Sequence, residues 1–247
     1  MQIQRALSAA EIVTAWEHGR DKHPVDRALL LLALVCPSML PSTLGNLTVG
    51  QRNTLLLDLR RKTLGTLADC FAKCPQCEAS LEFTLDIAML YAPEKDTVSS
   101  TPTLTMDDFF VLFRLPTSLD LAALVGNMDV TESRHMLIER CVLQAEHKGQ
   151  AIAVACLPET VIIALARAML EHDPQAEIEI SLSCSGCDHS WTTVFDIVSF
   201  FWAELEAQAK RLLRDVDILA RAYGWREPDI LALSTVRRQF YLELVQR

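Results

Sequence analysis

Two stretches of the sequence decide the fold: CPQCEASLEFTLDI, residues 74–87, and CSGCDHSWTTVFDI, residues 184–197. They align without gaps: an acidic residue follows each second cysteine, a serine lies two residues further on, and Asp-Ile closes each segment nine residues after that cysteine. Eight cysteines in 247 residues should produce roughly 0.26 CxxC pairs by chance, so two pairs with matching tails indicate a repeated unit.

Each CxxC pair is predicted to lie in a turn next to strands. Alternation with a period of two is typical of strands, and it follows both pairs and precedes the second. The positions on the alternating faces are Leu81, Phe83, Leu85, Ile178, Ile180, Leu182, Trp191, Thr193 and Phe195. Two turns that each present two thiolates can surround one tetrahedral ion, so the pattern predicts a small β zinc ribbon. The 106 residues between the pairs must fold separately and return.

One structural Zn²⁺ is the predicted cofactor. Its predicted ligands are Cys74, Cys77, Cys184 and Cys187. Cys70 and His189 are close enough in sequence to compete as ligands, and that alternative stays open. A thioredoxin-like site would need one CxxC motif that opens a helix after a strand, whereas these two turns lead into strands. A catalytic zinc would leave one coordination position to water, whereas four thiolates close the site.

No active site is predicted. Asp86 and Asp196 could be paired carboxylates for acid–base catalysis, but each lies where a strand ends and a helix begins, so helix N-capping explains both. The sequence contains no phosphate-binding glycine loop, zinc-protease motif or nucleophile elbow. We therefore expect a non-enzymatic protein with no catalytic residue and no small-molecule substrate.

Composition narrows the class of partner. The chain carries 23 basic and 32 acidic residues, whereas a surface that follows nucleic-acid phosphates usually shows a basic excess. The most apolar stretch, Ala28 to Cys36, is about half the length of a membrane span, and the first residues lack the apolar core of a signal peptide. We expect a cytoplasmic protein that binds neither nucleic acid nor membrane, and whose cysteines are not a disulfide framework.

Periodicity and capping residues predict an α+β fold that is mostly helical. The predicted helices are 8–19, 25–36, 48–65, 118–125, 132–143 and 158–171, then a long helix from Phe195 to Gly224, and two short ones that start at Pro228 and Ser234. Residues 109–115 are a predicted strand, 146–150 a turn and 91–105 a loop. The predicted regions are N-terminal helices (1–73), a discontinuous zinc ribbon (74–90 with 177–195), an inserted α/β segment (91–176) and a C-terminal helical region (196–247).

Basic residues on the third helix could form a binding stripe, although a solvated helix face is the more ordinary interpretation. The four residues are Arg52, Arg60, Arg61 and Lys62.

The C-terminal region is the predicted docking surface for a partner protein or for a second copy of the chain. Large aromatic residues beside arginines are enriched at interface hot spots. The candidates are Trp202, Trp225, Arg237, Arg238, Phe240 and Tyr241. The alternative is that these rings pack on the N-terminal helices of the same chain. The apolar seam of the long helix is expected to pack on the protein's own core.

The ordered set of motifs resembles the T4-type baseplate hub proteins and hub assembly chaperones of contractile phage tails and related injection systems. Besides the two CxxC units, the segments that carry it are DRALLLL (26–32), GQRNTLLLDLR (50–60), FRLPTS (113–118), FDIVSFFWAE (195–204) and YGWREPDILALSTVRRQFYL (223–242). The resemblance implies a non-enzymatic baseplate component or assembly factor whose partners are other baseplate or tail proteins. It implies a protein that is cytoplasmic during assembly and is then either released or kept in the finished particle.

A zinc-ribbon protein that binds nucleic acid or regulates another process is the alternative class. It would need exposed basic and aromatic side chains on the ribbon, but residues 78–90 and 177–195 contain no lysine or arginine. A thiol oxidoreductase is a second alternative, and it would need one metal-free, exposed CxxC pair.

Overall fold

A computed structural model describes residues 3–92, 101–126 and 129–245, and it confirms the α+β class. The helices are α1 (Ala9–Gly19), α2 (Pro24–Val35), α3 (Pro41–Gly45), α4 (Val49–Leu64), α5 (Ser118–Ala122), α6 (Val130–Cys141), α7 (Glu159–His172), α8 (Ile197–Tyr223), α9 (Glu227–Leu231) and α10 (Thr235–Val245). The strands are β1 (Leu67–Lys73), β2 (Ser80–Asp86), β3 (Thr103–Met106), β4 (Phe109–Phe113), β5 (Val142–His147), β6 (Gln150–Ala151), β7 (Glu179–Ser183) and β8 (Ser190–Val194).

Local capping chemistry starts the N-terminal helices where the sequence predicts them. Ser8 and Thr48 each cap a helix, α1 and α4, and the side chain three residues later bonds back to the capping backbone. Pro24 occupies the first turn of α2, where its missing N–H costs nothing. Pro41 begins the short α3 for the same reason.

The main hydrophobic core joins α1, α2 and α4 to α8. Phe201, Leu205, Ala209 and Leu212 of α8 are buried in this core, as expected for the apolar seam of that helix. Trp202 is buried beside them and lies against Gly19 of α1. The first and last predicted regions of the chain therefore share one core, although their division into domains stays a prediction.

The basic residues of α4 do not form a solvated stripe. Arg52 and Arg60 are buried, whereas Arg61 and Lys62 are exposed. Arg60 donates two hydrogen bonds to the Glu204 carboxylate of α8, at 2.6 and 2.9 Å. Its guanidinium also donates to two backbone carbonyls, those of residues 65 and 67, at 2.7 and 2.9 Å. Arg60 thus holds α4 against α8 and the start of β1, because one guanidinium donates to the Glu204 carboxylate and to the carbonyls of residues 65 and 67.

The inserted segment has a sheet and a small core of its own. Its four strands pair antiparallel in the order β3-β4-β5-β6, and α6 and α7 pack on them. Part of the predicted loop 91–105 lies outside the described residues, but Thr103–Met106 is the strand β3, since its alternating side chains pair with β4. The predicted helix 132–143 ends at Cys141, because Val142 begins β5. The predicted turn at 146–150 connects β5 and β6.

The buried carboxylate of Asp120 joins several elements of the inserted segment through hydrogen bonds. Asp120 accepts hydrogen bonds from Arg114 at 2.6 and 2.8 Å and from Arg140 at 2.9 Å. It also accepts from the backbone N–H and the hydroxyl of Thr117. Burial raises the pKa of Asp120, but the Arg114 and Thr117 hydrogen bonds outweigh it and hold that pKa well below its usual range.

Among the helices in the described ranges, none is long and apolar enough to cross a bilayer.

Candidate metal centre

The repeated sequence unit folds into two β-hairpins that carry one CxxC turn each. β1 pairs with β2 in the first hairpin, and β7 pairs with β8 in the second. The strands on both sides of the second pair are as predicted. β1 was not among the predicted strands, although the repeat contained the signal for it: a strand precedes Cys184, so one was to be expected before Cys74.

The two turns have the same backbone geometry. The N–H of Cys74 donates to the carbonyl of Ala79 at 2.9 Å, and the N–H of Cys184 donates to that of His189 at 2.8 Å. In each turn the residue after the second cysteine has a positive φ, 59° at Glu78 and 55° at Asp188. The acidic residue shared by the two units therefore lies at a left-handed turn position, a role that spacing alone did not reveal.

The four sulfurs come together between the hairpin tips. The Sγ atoms of Cys74 and Cys187 are 3.7 Å apart, and those of Cys77 and Cys184 are 3.6 Å apart. All four ligand atoms lie within 4.8 Å of one another. A disulfide would need about 2.05 Å between sulfurs, whereas tetrahedral thiolates at about 2.3 Å from one ion would be about 3.8 Å apart. The four cysteines can thus hold one metal ion.

The alternative ligands lie outside the sulfur cluster. Within the described ranges, the ligand group comprises the four predicted cysteines alone. The Cys70 thiol donates to the carbonyl of Ala68 on its own strand, at 3.6 Å. The His189 ring stacks on Trp191, with centroids 5.9 Å apart.

Two of the clustered thiols have pKa values that are shifted in opposite directions. Burial raises the pKa of the Cys74 thiol, but hydrogen bonds from the backbone N–H groups of Cys77 and Gln76 and from neighbouring thiols lower it to about 7. The backbone N–H of His189 lowers the pKa of Cys187, but burial and the other three thiols raise it to about 12. One thiolate therefore forms easily, whereas several together need a cation among them.

The two aspartates that end the repeated units are helix caps. Asp86 Oδ1 accepts from the N–H of Ala88 at 2.9 Å, and Asp196 Oδ1 accepts from the N–H of Val198 at 2.9 Å. Asp86 begins a short 3₁₀ turn and Asp196 begins α8. Each hairpin thus leads directly into a helical segment whose first turn satisfies its carboxylate.

The predicted partner residues divide into buried and accessible ones. Trp202 and Arg238 do not fit a docking role: the indole lies in the main core, and Arg238 is buried with an ion pair to Asp215 at 3.1 Å. The remaining four lie around the junction of α8, α9 and α10, where they are half-buried or exposed. They are Trp225, Arg237, Phe240 and Tyr241.

An aromatic cluster holds this junction together. Trp225 stacks on Tyr223 at 4.7 Å between centroids and meets Tyr241 edge-on at 4.9 Å. Phe240 extends from the cluster with 58% of its surface exposed, and Arg237 is exposed beside it.

The chain matches the model of a known family. The model of a family described as T4 bacteriophage base plate protein matches residues 35–202, about two thirds of the chain. The matched region includes both hairpins, all four clustered cysteines and the inserted segment. No curated protein and no solved structure matches the chain.

Proposed function

Because the chain belongs to the T4 bacteriophage base plate protein family, we propose that it is a non-enzymatic component or assembly chaperone of the baseplate of a contractile tail or injection system. The family match over residues 35–202 carries this proposal. It is supported by the four clustered thiols, which face one another and so bring together two distant parts of the chain. Such a site stabilises a structure and leaves no position for a substrate.

Zn²⁺ is the proposed metal. Four soft thiolates in a tetrahedral arrangement suit zinc, and the 3.6 and 3.7 Å sulfur contacts are close to the spacing that zinc requires. When bound, the ion would supply a permanent cross-link between the two hairpin tips. Its binding free energy would then contribute to folding, because the unfolded chain holds the two cysteine pairs apart.

Elemental analysis of matched cysteine variants tests the metal. The purified protein is expected to contain one zinc per chain, and Cys184→Ser is expected to lose it together with thermal stability. Cys156→Ser is the control, because Cys156 is exposed and lies outside the cluster. A folded protein with no zinc and four freely reactive thiols would overturn the metal proposal, and iron in place of zinc would correct the identity of the ion.

Other baseplate or tail proteins are the proposed partners, met in the cytoplasm during assembly. Co-expression with the baseplate proteins encoded beside this chain should yield a defined complex. Mass spectrometry of purified particles then separates the two roles: a structural component stays in the particle, whereas a chaperone is absent from it. If no complex forms with any of those proteins, the proposed role is wrong.

The accessible face of α10 is the proposed contact of the C-terminal region. Val236, Phe240 and Leu244 follow one another at intervals of four residues and are all exposed, so they share one helix face. Phe240→Glu should weaken the co-purified complex, whereas Met89→Glu, at an exposed apolar residue elsewhere, should not. A shift of the free protein from dimer to monomer in Phe240→Glu would instead identify this face as a self-association surface.

A further inference from the structure

The two hairpins leave an open groove on each side of their contact. They share no strand pairing, so in the described chain each remains a two-stranded sheet with two unpaired edges. One groove, of about 540 Å³, runs between β1 and β8 above the start of α8. The other, of about 400 Å³, runs between β2 and β7. The repeat relates these two grooves to each other, because β1 corresponds to β7 and β2 to β8.

Unpaired backbone groups line the first groove. Backbone hydrogen bonds join residue 74 to residue 79 and residue 66 to residue 87. Since hydrogen-bonded pairs alternate along an antiparallel ladder, the even-numbered residues of β1 are the ones that bond to β2. Asp69, Phe71 and Lys73 therefore direct their N–H and C=O groups away from β2, toward the groove. By the same reasoning, Thr192 and Val194 of β8 direct theirs away from β7. No group within the described ranges bonds to these outward N–H and C=O groups.

The repeat provides an internal comparison of the two grooves. Phe71 lies three residues before the first CxxC pair and Val194 seven residues after the second, and they are 59% and 57% exposed. The equivalent positions in the repeat are Ser181, which lines the other groove, and Thr84 of β2. The same backbone frame thus presents apolar side chains on one side and hydroxyls on the other. Large exposed apolar residues on an open strand edge mark a site where another strand can pair.

The hairpins are also the acidic part of the molecule. Residues 67–86 contain four acidic residues and one lysine, a net charge of −3, and residues 177–196 contain four acidic residues and no basic one, a net charge of −4. Together they hold −7 of the total of −9. The lining of the groove holds one acidic and one basic residue, Asp196 and Lys73, and the other acidic residues lie elsewhere on the two hairpins. The field of the hairpins as a whole therefore favours a basic segment.

We propose that the groove between β1 and β8 binds an extended segment of a partner protein that alternates apolar residues with lysine or arginine. The segment pairs as an added strand with the open edge of β1. Its apolar side chains cover Phe71 and Val194, and its basic side chains face the acidic hairpins. The proposal rests on the proposed baseplate role only for the identity of the partner, which would be another baseplate protein.

Peptide binding tests the groove with two kinds of probe. The first is a synthetic alternating peptide, acetyl-KVKVKVKV-amide, with its glutamate counterpart EVEVEVEV. The second is a set of overlapping peptides that covers the baseplate proteins encoded beside this chain. The lysine peptide should bind, more weakly as salt is added, and the glutamate peptide should not. Hydrogen exchange of the amides of Asp69, Phe71 and Lys73 should slow in the complex, because their N–H groups become donors to the added strand.

Matched proline variants locate the binding. Phe71→Pro removes an outward N–H and an apolar side chain, so it should weaken binding by about tenfold or more. Ser181→Pro makes the equivalent change in the other groove and should leave binding unchanged. Retained metal content and circular dichroism show that both variants are folded, and Phe71→Ser gives a milder second variant.

The possible outcomes separate the groove from the baseplate role. Equal losses in both proline variants, or binding without slowed exchange along β1, would overturn the groove proposal. Failure of both the lysine peptide and the baseplate peptides to bind would also overturn it, while a co-purified baseplate complex would leave the proposed function standing. Binding of the lysine peptide alone, with protection of β1, would support the groove and reject a baseplate protein as its partner.

Discussion

The ion pair between Arg60 and Glu204 offers a sharp test of what holds the helices to the hairpins. Glu204→Gln keeps the shape of the side chain but removes its charge. The Arg60 side chain is 2% exposed, so its guanidinium stays in the core. It loses the negative charge beside it and one of its two hydrogen bonds to residue 204, because the new amide oxygen accepts but the amide nitrogen does not. Breaking one partner of a buried pair typically costs about 3–5 kcal/mol.

Partial solvation of Glu204 brings the expected loss to the lower end of that range or below it. Glu204 is 24% exposed, so water replaces part of what Arg60 loses, and we expect Glu204→Gln to lower the free energy of unfolding by about 2–3 kcal/mol. For a chain of this size that corresponds to roughly 4–12 °C in Tm. Urea unfolding followed by both circular dichroism and tryptophan fluorescence measures it, and coincident curves justify a two-state treatment.

Two further variants show whether the reasoning is right. Glu206→Gln makes the same change one half-turn along α8, in an exposed pair with Lys210 at 2.6 Å, and should cost less than about 0.5 kcal/mol. Arg60→Met combined with Glu204→Leu removes both charges and should cost less than Glu204→Gln alone. If Glu204→Gln costs no more than Glu206→Gln, the buried pair does not stabilise the fold in the way described.

Two other substitutions probe the inserted segment and the main core. Asp120→Asn should destabilise the inserted segment by about 1–3 kcal/mol, because it removes the buried carboxylate that two partly exposed arginines share, and faster hydrogen exchange confined to that segment would show it. Since the pKa of Asp120 is lowered in the folded protein, its contribution is complete above the unfolded value of about 3.9 and is lost as the pH falls below it, so urea midpoints should drop there in the wild type but less in the variant. Gly19→Ala should cost about 1–3 kcal/mol in thermal unfolding, because the new Cβ would lie 2.3 Å from the Trp202 ring, and Trp202→Phe should recover part of that loss in the double variant. A Gly19→Ala protein as stable as the wild type would show that α1 and α8 are not in close contact.

Features that depend on nearby residues could be predicted from the sequence. Capping at Ser8 and Thr48 involves hydrogen bonds over three residues, so the helix starts are encoded locally. The cysteine cluster was also predictable, because a repeated CxxC unit specifies two equivalent turns even when 106 residues separate them. The structure brings those four sulfurs together without any further clue from the intervening chain.

Features that depend on distant residues could not be predicted. Arg60 belongs to a run of basic residues that resembles a solvated face, and only the position of Glu204, 144 residues later, shows why it is buried. Phe201 and Trp202 are both buried in the core, and the space for Trp202 depends on Gly19 of another helix. Residues 103–106 are a strand only because β4 lies beside them.

The separation of the two cysteine pairs also imposes an order on folding during translation. At synthesis rates of roughly 5–20 residues per second, the second pair leaves the ribosome about 5–20 seconds after the first. Throughout that interval the first hairpin has neither the opposite sulfurs nor α8, which is translated after both hairpins. The core of the inserted segment consists entirely of its own residues, so this segment can fold before the second cysteine pair has been made. Closure of the sulfur cluster therefore cannot occur before residue 187 has been made, and it reports that both cysteine pairs and the inserted segment have been translated.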